Sequence, residues 1–139
     1  MALEAVLDTR FYFSYYSPEN KEIAAWSKAM IQSVSKGEIR LASSTITVTE
    51  LYNTMGKTLG KDVVKTRIAS IRASNIRFIP VTEEIAQLAG EITLTAPEVP
   101  LADAIIAATA FIDAKATVIT DDDHFKHIKQ LKVKWLKEV

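Results

Sequence analysis

Leu101-Ala102-Asp103-Ala104-Ile105-Ile106-Ala107-Ala108-Thr109-Ala110-Phe111-Ile112 runs through Asp113-Ala114-Lys115 into Ala116-Thr117-Val118-Ile119-Thr120 and then into Asp121-Asp122-Asp123. The segment from Leu101 to Ile112 is apolar on nearly every side of a 3.6-residue period, which predicts a helix buried on more than one face. Ala116 to Thr120 predicts a short buried strand. One acid, Asp103, opens the helix, and three acids follow the strand. A helix that turns tightly into a buried strand is the repeating unit of an α/β fold.

The same alternation recurs toward the N-terminus. Leu3 to Asp8 is a short apolar run ending in an acid, which predicts a buried strand. Ser17-Pro18-Glu19 supplies an N-cap, a proline at the first helical position and an acid in the first turn. Ile23, Trp26, Met30, Ile31 and Val34 then follow at helical spacing up to Gly37. Arg40 to Thr45 predicts a second strand. Val48, Leu51, Tyr52, Met55 and Leu59 form a helical stripe that ends at Gly60. Val64, Ile68 and Ile71 mark another helix, Ile76 to Ile79 a third strand closed by Pro80, and Ile85, Leu88, Ala89 and Ile92 a further helical face. Thr95 to Pro100, with two prolines, is a loop. Beyond the triple aspartate, a short helix is expected from about Asp123 to Gln130. Leu131, Val133 and Trp135 alternate with Lys132 and Lys134, the pattern of an edge strand protected by lysines. The expected fold is a three-layer α/β/α domain with a central parallel sheet, one domain over residues 1–139.

Composition agrees with that expectation. The chain has 139 residues, 48% hydrophobic and 24% charged, enough apolar material for one sizeable core. It has no cysteine, which excludes disulfides and thiolate zinc sites and fits a reducing compartment. No apolar run approaches the roughly 18 residues of a spanning helix. The start, Met1-Ala2-Leu3-Glu4, lacks the basic region of a signal peptide. A soluble cytoplasmic protein with no membrane association is expected. Seventeen basic and seventeen acidic residues cancel, which argues against a general nucleic-acid coat protein. Their distribution is uneven. Lys57, Lys61, Lys65, Arg67, Arg72 and Arg77 face only Asp62 in their segment, and five lysines between Lys126 and Lys137 face no acid. Such runs are commonly solvated helix faces, but beside acidic pockets they also suit an enzyme that holds metal at one place and phosphate at another.

In a parallel α/β sheet, ligands bind beyond the carboxyl ends of the strands, where strand order reverses. Asp8 ends the first expected strand, Glu50 lies just after the second, Asp103 opens the apolar helix, and Asp121 to Asp123 follow the fourth. Carboxylate oxygens are the hard ligands that Mg²⁺ takes, and several in one cleft repel unless a cation lies between them. Each acid also has an ordinary explanation. Thr47-Val48-Thr49-Glu50 matches a capping box, Asp103 could complement a helix dipole, and one of Asp121 to Asp123 could cap a helix. Capping does not explain why all of them fall at the same end of one sheet. Asp8 in particular needs a partner at the end of an apolar central strand.

With these residues in place, the sequence resembles the PIN-domain family, and within it the VapC-type toxin ribonucleases. Val6-Leu7-Asp8-Thr9 is similar to the family's first motif, and Thr49-Glu50-Leu51 to its glutamate motif. Pro100 to Ala110 resembles the D-A-x-I-A-A-T-A helix, and Val118-Ile119-Thr120-Asp121-Asp122-Asp123-His124-Phe125 the T-x-D-x-x-F segment. The resemblance implies a PIN-like fold of the RNase H/5′-nuclease type. It also implies an endoribonuclease that uses Mg²⁺ or Mn²⁺. Its four acids carry over to Asp8, Glu50, Asp103 and Asp122 as metal-binding and catalytic residues, with Thr9, Thr120 and Asp121 as secondary ones. Asp122 fits the motif register better than Asp121, although three adjacent aspartates leave that choice open, as is the choice between one metal ion and two. A small antitoxin partner, an RNA substrate and a homodimer are further implications. Arg10-Phe11-Tyr12-Phe13 departs from the smaller residues common after the first motif, and Asp113-Ala114-Lys115 stands where many members have a glycine turn.

Other chemistry is less well supported. His124 and His127 lack a third nitrogen or sulfur ligand and make a poor zinc site on sequence grounds. Tyr12, Tyr15, Tyr16 and Trp26 read as packing or interface residues before base-stacking ones. An aspartyl-phosphate phosphatase would need a second acid in Asp8-Thr9-Arg10, and a phosphoreceiver an acid where Pro80-Val81 stand. The remaining alternative is a PIN-fold module that binds RNA or protein without cutting.

Overall fold

The computed structural model describes residues 2–136; Met1 and Lys137, the latter being the last lysine of the basic C-terminal run, lie outside the described residues. Five short strands, β1 (Ala5–Leu7), β2 (Leu41–Ser44), β3 (Arg77–Ile79), β4 (Thr117–Ile119) and β5 (Lys132–Lys134), form one parallel sheet in the order β3-β2-β1-β4-β5. The chain moves outward from β1 through β2 to β3, then crosses back to lay β4 on the other side of β1. The point of reversal is therefore the crevice between β1 and β4, where Val6 pairs with Val118 and Leu7 with Ile119.

Alternation along β1 divides the core in two. Val6 faces one layer, packed with Ile85, Ala89, Ile92, Ile106, Ala107 and Val118. Ala5 and Leu7 face the other, with Phe11, Tyr12, Val34, Leu51, Val64 and Ile68. The first layer is built from α6 (Glu83–Thr95) and α7 (Leu101–Asp113), and the second from α1 (Thr9–Tyr16), α2 (Lys21–Ser35), α3 (Thr45–Leu51) and α5 (Lys61–Ala73). The three-layer expectation holds. The all-round apolar character of α7 is also explained, since it packs on α6, β1, β2, β4 and α3 at once. Ala104, Ala107, Ala108 and Ala110 are fully buried there, small enough to let the helix lie close to the sheet. Among the described residues, no helix is long and apolar enough to cross a membrane.

Several boundaries differ from the sequence expectation. The segment after β1 is a helix, α1, that its aromatic run does not announce. Phe11 and Tyr12 are fully buried, and Phe11 meets Tyr12, Trp26 and Trp135 edge to face. Ser17 closes α1 instead of opening α2. The N-cap of α2 is Asn20, whose side chain accepts the Ile23 N–H at 2.9 Å. The stripe from Val48 to Leu59 is not one regular helix. It passes from α3 through a π-helical stretch, Tyr52–Gly56, into a last turn, α4 (Lys57–Leu59), that Gly60 ends at φ 88°. The expected helix at Asp123 is a 3₁₀ turn, Asp123–His127. β5 is an edge strand, with Lys132 exposed and Lys134 half-buried. At the turn that lacks the family's glycine, Lys115 and Ala116 adopt φ of 54° and 53°, the left-handed region that glycine enters without strain.

Candidate metal centre

Two strands run directly into helices at the carboxyl edge of the sheet. β1 ends at Leu7, and Asp8 is the N-cap position of α1. β2 ends at Ser44, which caps α3 by accepting the Ile46 N–H at 3.1 Å. These junctions contain no slack loop, so the side chains they carry are set by the sheet itself. The Asp8 N–H is bound to the Ile119 carbonyl at 3.1 Å, which ties the first acid to the end of β4.

Asp8 is only 2% exposed. Its Oδ2 accepts the Thr120 hydroxyl at 2.7 Å, and Thr120 Oγ1 in turn accepts the Asp122 N–H at 3.0 Å. A hydroxyl has one proton, and here it is committed to Asp8. Thr120 therefore holds Asp8 and the Asp122 backbone in one register across the β1–β4 crevice. A second relay fixes Glu50. Thr9 donates to Glu50 Oε1 at 2.6 Å, which leaves Thr47, fully buried, to donate to Thr9 Oγ1 at 2.9 Å. The capping-box explanation of Glu50 fails for this reason. The cap is Ser44, Thr47 lies within the helix, and the Glu50 carboxylate is turned to Thr9.

Asp103 lies in the first turn of α7, 8% exposed. Burial pushes its carboxyl up to about 7, reinforced by the charges of Asp8, Asp122 and Glu50 and opposed by that of Arg10. Burial also pushes Asp8 up to about 6, against the hydrogen bonds from Thr120 and Thr9, with Glu50 and Asp122 adding to the rise. The four acids read from sequence thus lie close enough for Asp103 to feel the charges of Asp8, Glu50 and Asp122, and for Asp8 to feel those of Glu50 and Asp122.

The neighbouring aspartates do different things. Asp121 turns outward and pairs with Arg10, whose Nε lies 2.6 Å from Oδ1. Asp122 turns inward, and it also caps the 3₁₀ turn by accepting the His124 N–H at 2.9 Å. Asp123 is exposed beside Lys126 at 3.1 Å. His124, which the sequence offers only as part of a poor zinc site, lies beside these acids: its Nδ1 is 2.9 Å from Asp122 Oδ1 and 3.6 Å from Asp103 Oδ2. One donor atom each from Asp103, Asp122 and His124 lie within 4.8 Å of one another. Only the fold could reveal this, because the two acids come from different elements. Thr47, read from sequence as a candidate cap, is instead a buried hydroxyl within α3 that supports Thr9. His127 lies apart, its Nδ1 3.3 Å from Glu98 Oε1.

The donor set suits a divalent ion. It offers hard carboxylate oxygens that raise one another's proton affinity, hydroxyls behind them to fix orientation, and a single guanidinium at the rim.

Comparison with known proteins gives a consistent result. The family model described as PIN domain matches residues 5–131. The FitAcB structure from Neisseria gonorrhoeae is 28% identical, with TM-score 0.70 over 93% of this chain and 95% of that one. VapBC2 from Rickettsia felis, bound to a DNA fragment from their promoter, is 19% identical, with TM-score 0.75 over 96% and 98%. A toxin–antitoxin complex from Klebsiella pneumoniae is 23% identical, with TM-score 0.68 over 98% and 100%. No curated protein sequence matches.

Proposed function

The chain belongs to the PIN domain family, and from that premise we propose that it is an endoribonuclease dependent on Mg²⁺ or Mn²⁺, the toxin of a type II toxin–antitoxin pair. The observation that carries this reading is the gathering of buried carboxylates in the β1–β4 crevice, where burial, reinforced by the charges of Asp8, Asp122 and Glu50, pushes Asp103 up to about 7. Such crowding is unfavourable without a cation and is relieved by one.

Asp8, Asp103 and Asp122 would hold the ion, directly or through water. When bound, it would lower the pKa of a coordinated water and offset charge on the scissile phosphate. The protein's own groups divide the remaining work. Thr9 occupies Glu50 Oε1, so Oε2 is left to accept a proton from the attacking water. Attack in line with the bond to the 3′ oxygen would break that bond, and the departing oxygen would take a proton from solvent, leaving a 5′-phosphate and a 3′-hydroxyl. Thr120 keeps Asp8 and Asp122 in register, and the Arg10–Asp121 pair forms the rim beside them.

The lysines of α4 and α5, Lys57, Lys61 and Lys65, are exposed and could guide the RNA backbone. Two arginines of that run are engaged elsewhere. Arg67 stacks over Tyr16 at 4.3 Å, and Arg72 over Phe78 at 5.1 Å. The toxin–antitoxin complexes among the similar structures support a small antitoxin as partner. A homodimer in the cytoplasm completes the proposal.

The test is RNA cleavage by the purified chain with Mn²⁺ or Mg²⁺. Cleavage is expected from the native protein and its loss from Asp8→Asn and Asp103→Asn. Undiminished cleavage by either variant removes that acid from the centre. No cleavage by the native chain, together with no Mn²⁺-linked rise in melting temperature, favours a binding module.

A further inference from the structure

We propose that His124 is a ligand of the metal centre through Nδ1, and that this nitrogen makes the centre select Mn²⁺ over Mg²⁺. The inference rests on the reading that the acids hold a divalent ion, and it concerns which ion they hold.

The geometry is the first support. His124 Nδ1 lies 2.9 Å from Asp122 Oδ1 and 3.6 Å from Asp103 Oδ2, and the three donor atoms fall within 4.8 Å of one another. Around an octahedral ion with bonds of about 2.1 Å, neighbouring ligands stand about 3 Å apart and opposite ones about 4.2 Å. Two of the three separations match neighbouring ligands, and the third, no more than 4.8 Å, is within a small side-chain adjustment of the span of one coordination sphere.

The second support is local structure. Asp122 Oδ1 accepts the His124 N–H at 2.9 Å, which closes the turn and sets the imidazole above the carboxylate. Phe125, the next residue, is fully buried in the α6–α7 layer and anchors the turn. His124 itself is half exposed, so its ring can exchange a carboxylate contact for a metal bond without repacking the core. His127, on the same turn, is held by Glu98 instead.

Chemistry supplies the selectivity. A neutral imidazole adds a donor without adding to the negative charge already concentrated by Asp8, Glu50, Asp103 and Asp122. Mg²⁺ dehydrates reluctantly and takes oxygen ligands, so it gains little from such a group. Transition ions gain more from nitrogen, and Mn²⁺ accepts a mixed oxygen and nitrogen set.

Mn²⁺ alone is the probe. In the full chain loaded with Mn²⁺, pulsed EPR is expected to show ¹⁴N coupling from one imidazole, changed to a ¹⁵N signature by ¹⁵N-histidine labelling. His127→Gln should keep the coupling and His124→Gln should lose it. Calorimetry should show Mn²⁺ binding weakened about tenfold in His124→Gln and Mg²⁺ binding changed by less than about twofold. Mn²⁺ bound to the native chain without nitrogen coupling, or equal weakening of both ions, overturns the role of His124 and leaves the acid centre standing. Failure of the native chain to bind Mn²⁺ at all overturns both.

Discussion

The two edges of the sheet differ more than their shapes suggest. The amino edge has a cleft of about 580 Å³ lined by Val34, Gly37, Arg40, Asn75, Arg77 and Asp113. Beside the acids, the carboxyl edge has a smaller hollow, about 160 Å³, next to Arg10 and Asp121. Size favours the amino edge, and chemistry favours the other. Asp8 and Asp103, the two carboxyls pushed to about 6 and about 7, both lie at the carboxyl edge. Backbone geometry explains the difference. The strands β1 and β2 end there in tight junctions with helices, and α7 begins there, so side chains from distant parts of the sequence converge on the point where strand order reverses. A cleft can form by default between packed elements. Convergent acids that raise one another's pKa require something to hold them together.

The largest contrast should appear in catalysis. Asp8→Asn and Asp103→Asn are expected to lower RNA cleavage at least about 100-fold. Arg77→Ala, at the amino edge, should leave it within about twofold. Equal losses at both edges would break the comparison.

A smaller contrast is expected along one strand. Thr120→Val, just beyond the carboxyl end of β4, removes a fully buried hydroxyl that serves both Asp8 and the Asp122 N–H. It should weaken Mn²⁺ binding about tenfold and cost about 1–3 kcal/mol of stability. Thr117→Val, at the amino end of the same strand, removes only a bond to the Lys115 carbonyl at 3.0 Å. It should leave Mn²⁺ affinity unchanged. Calorimetric titration of both variants decides the matter.

The smallest effect is a dependence on pH. Asp8 and Asp103 bind protons more tightly in the folded chain than their ordinary value of 3.8. Their contribution to stability is therefore complete below about pH 4 and is lost as pH rises through about 6 and then about 7. The metal-free protein should melt a few degrees lower at pH 8 than at pH 5, as far as these two groups govern it. Asp103→Asn should flatten the profile. Binding of an ion displaces the same protons, so the Mn²⁺-linked rise in melting temperature should be greater at pH 8 than at pH 5. A metal-free melting temperature that rises over this range, unaltered in Asp103→Asn, would count against two buried carboxyls held above their ordinary range.

Much of the fold was legible because buried helices and strands here keep their periods. The α7–β4 unit announces itself, and so does the alternation that places Asp8 at a strand end. Helix α1 was not legible. Its aromatic run, Thr9 to Tyr16, carries the β-favouring residues of an extended segment, and only packing of Phe11 and Tyr12 beneath the sheet makes it a helix. The glutamate motif is legible, but the capping-box alternative for it is excluded only by the structure, because the true cap, Ser44, lies three residues before Thr47. Strand order, and with it the approach of Asp122 and His124 to Asp103, is a tertiary outcome that no local pattern encodes. The outward turn of Asp121 depends on Arg10, more than a hundred residues away in sequence.

The central claim is that Asp8, Asp103 and Asp122 share a divalent ion in the β1–β4 crevice. Anomalous diffraction from crystals grown with Mn²⁺ tests it most directly. A peak about 2.1–2.4 Å from oxygens of these carboxylates, or one water further from one of them, is expected. A crystal saturated with Mn²⁺ that shows no peak in the crevice, or shows one only in the cleft at the amino edge, would contradict the account.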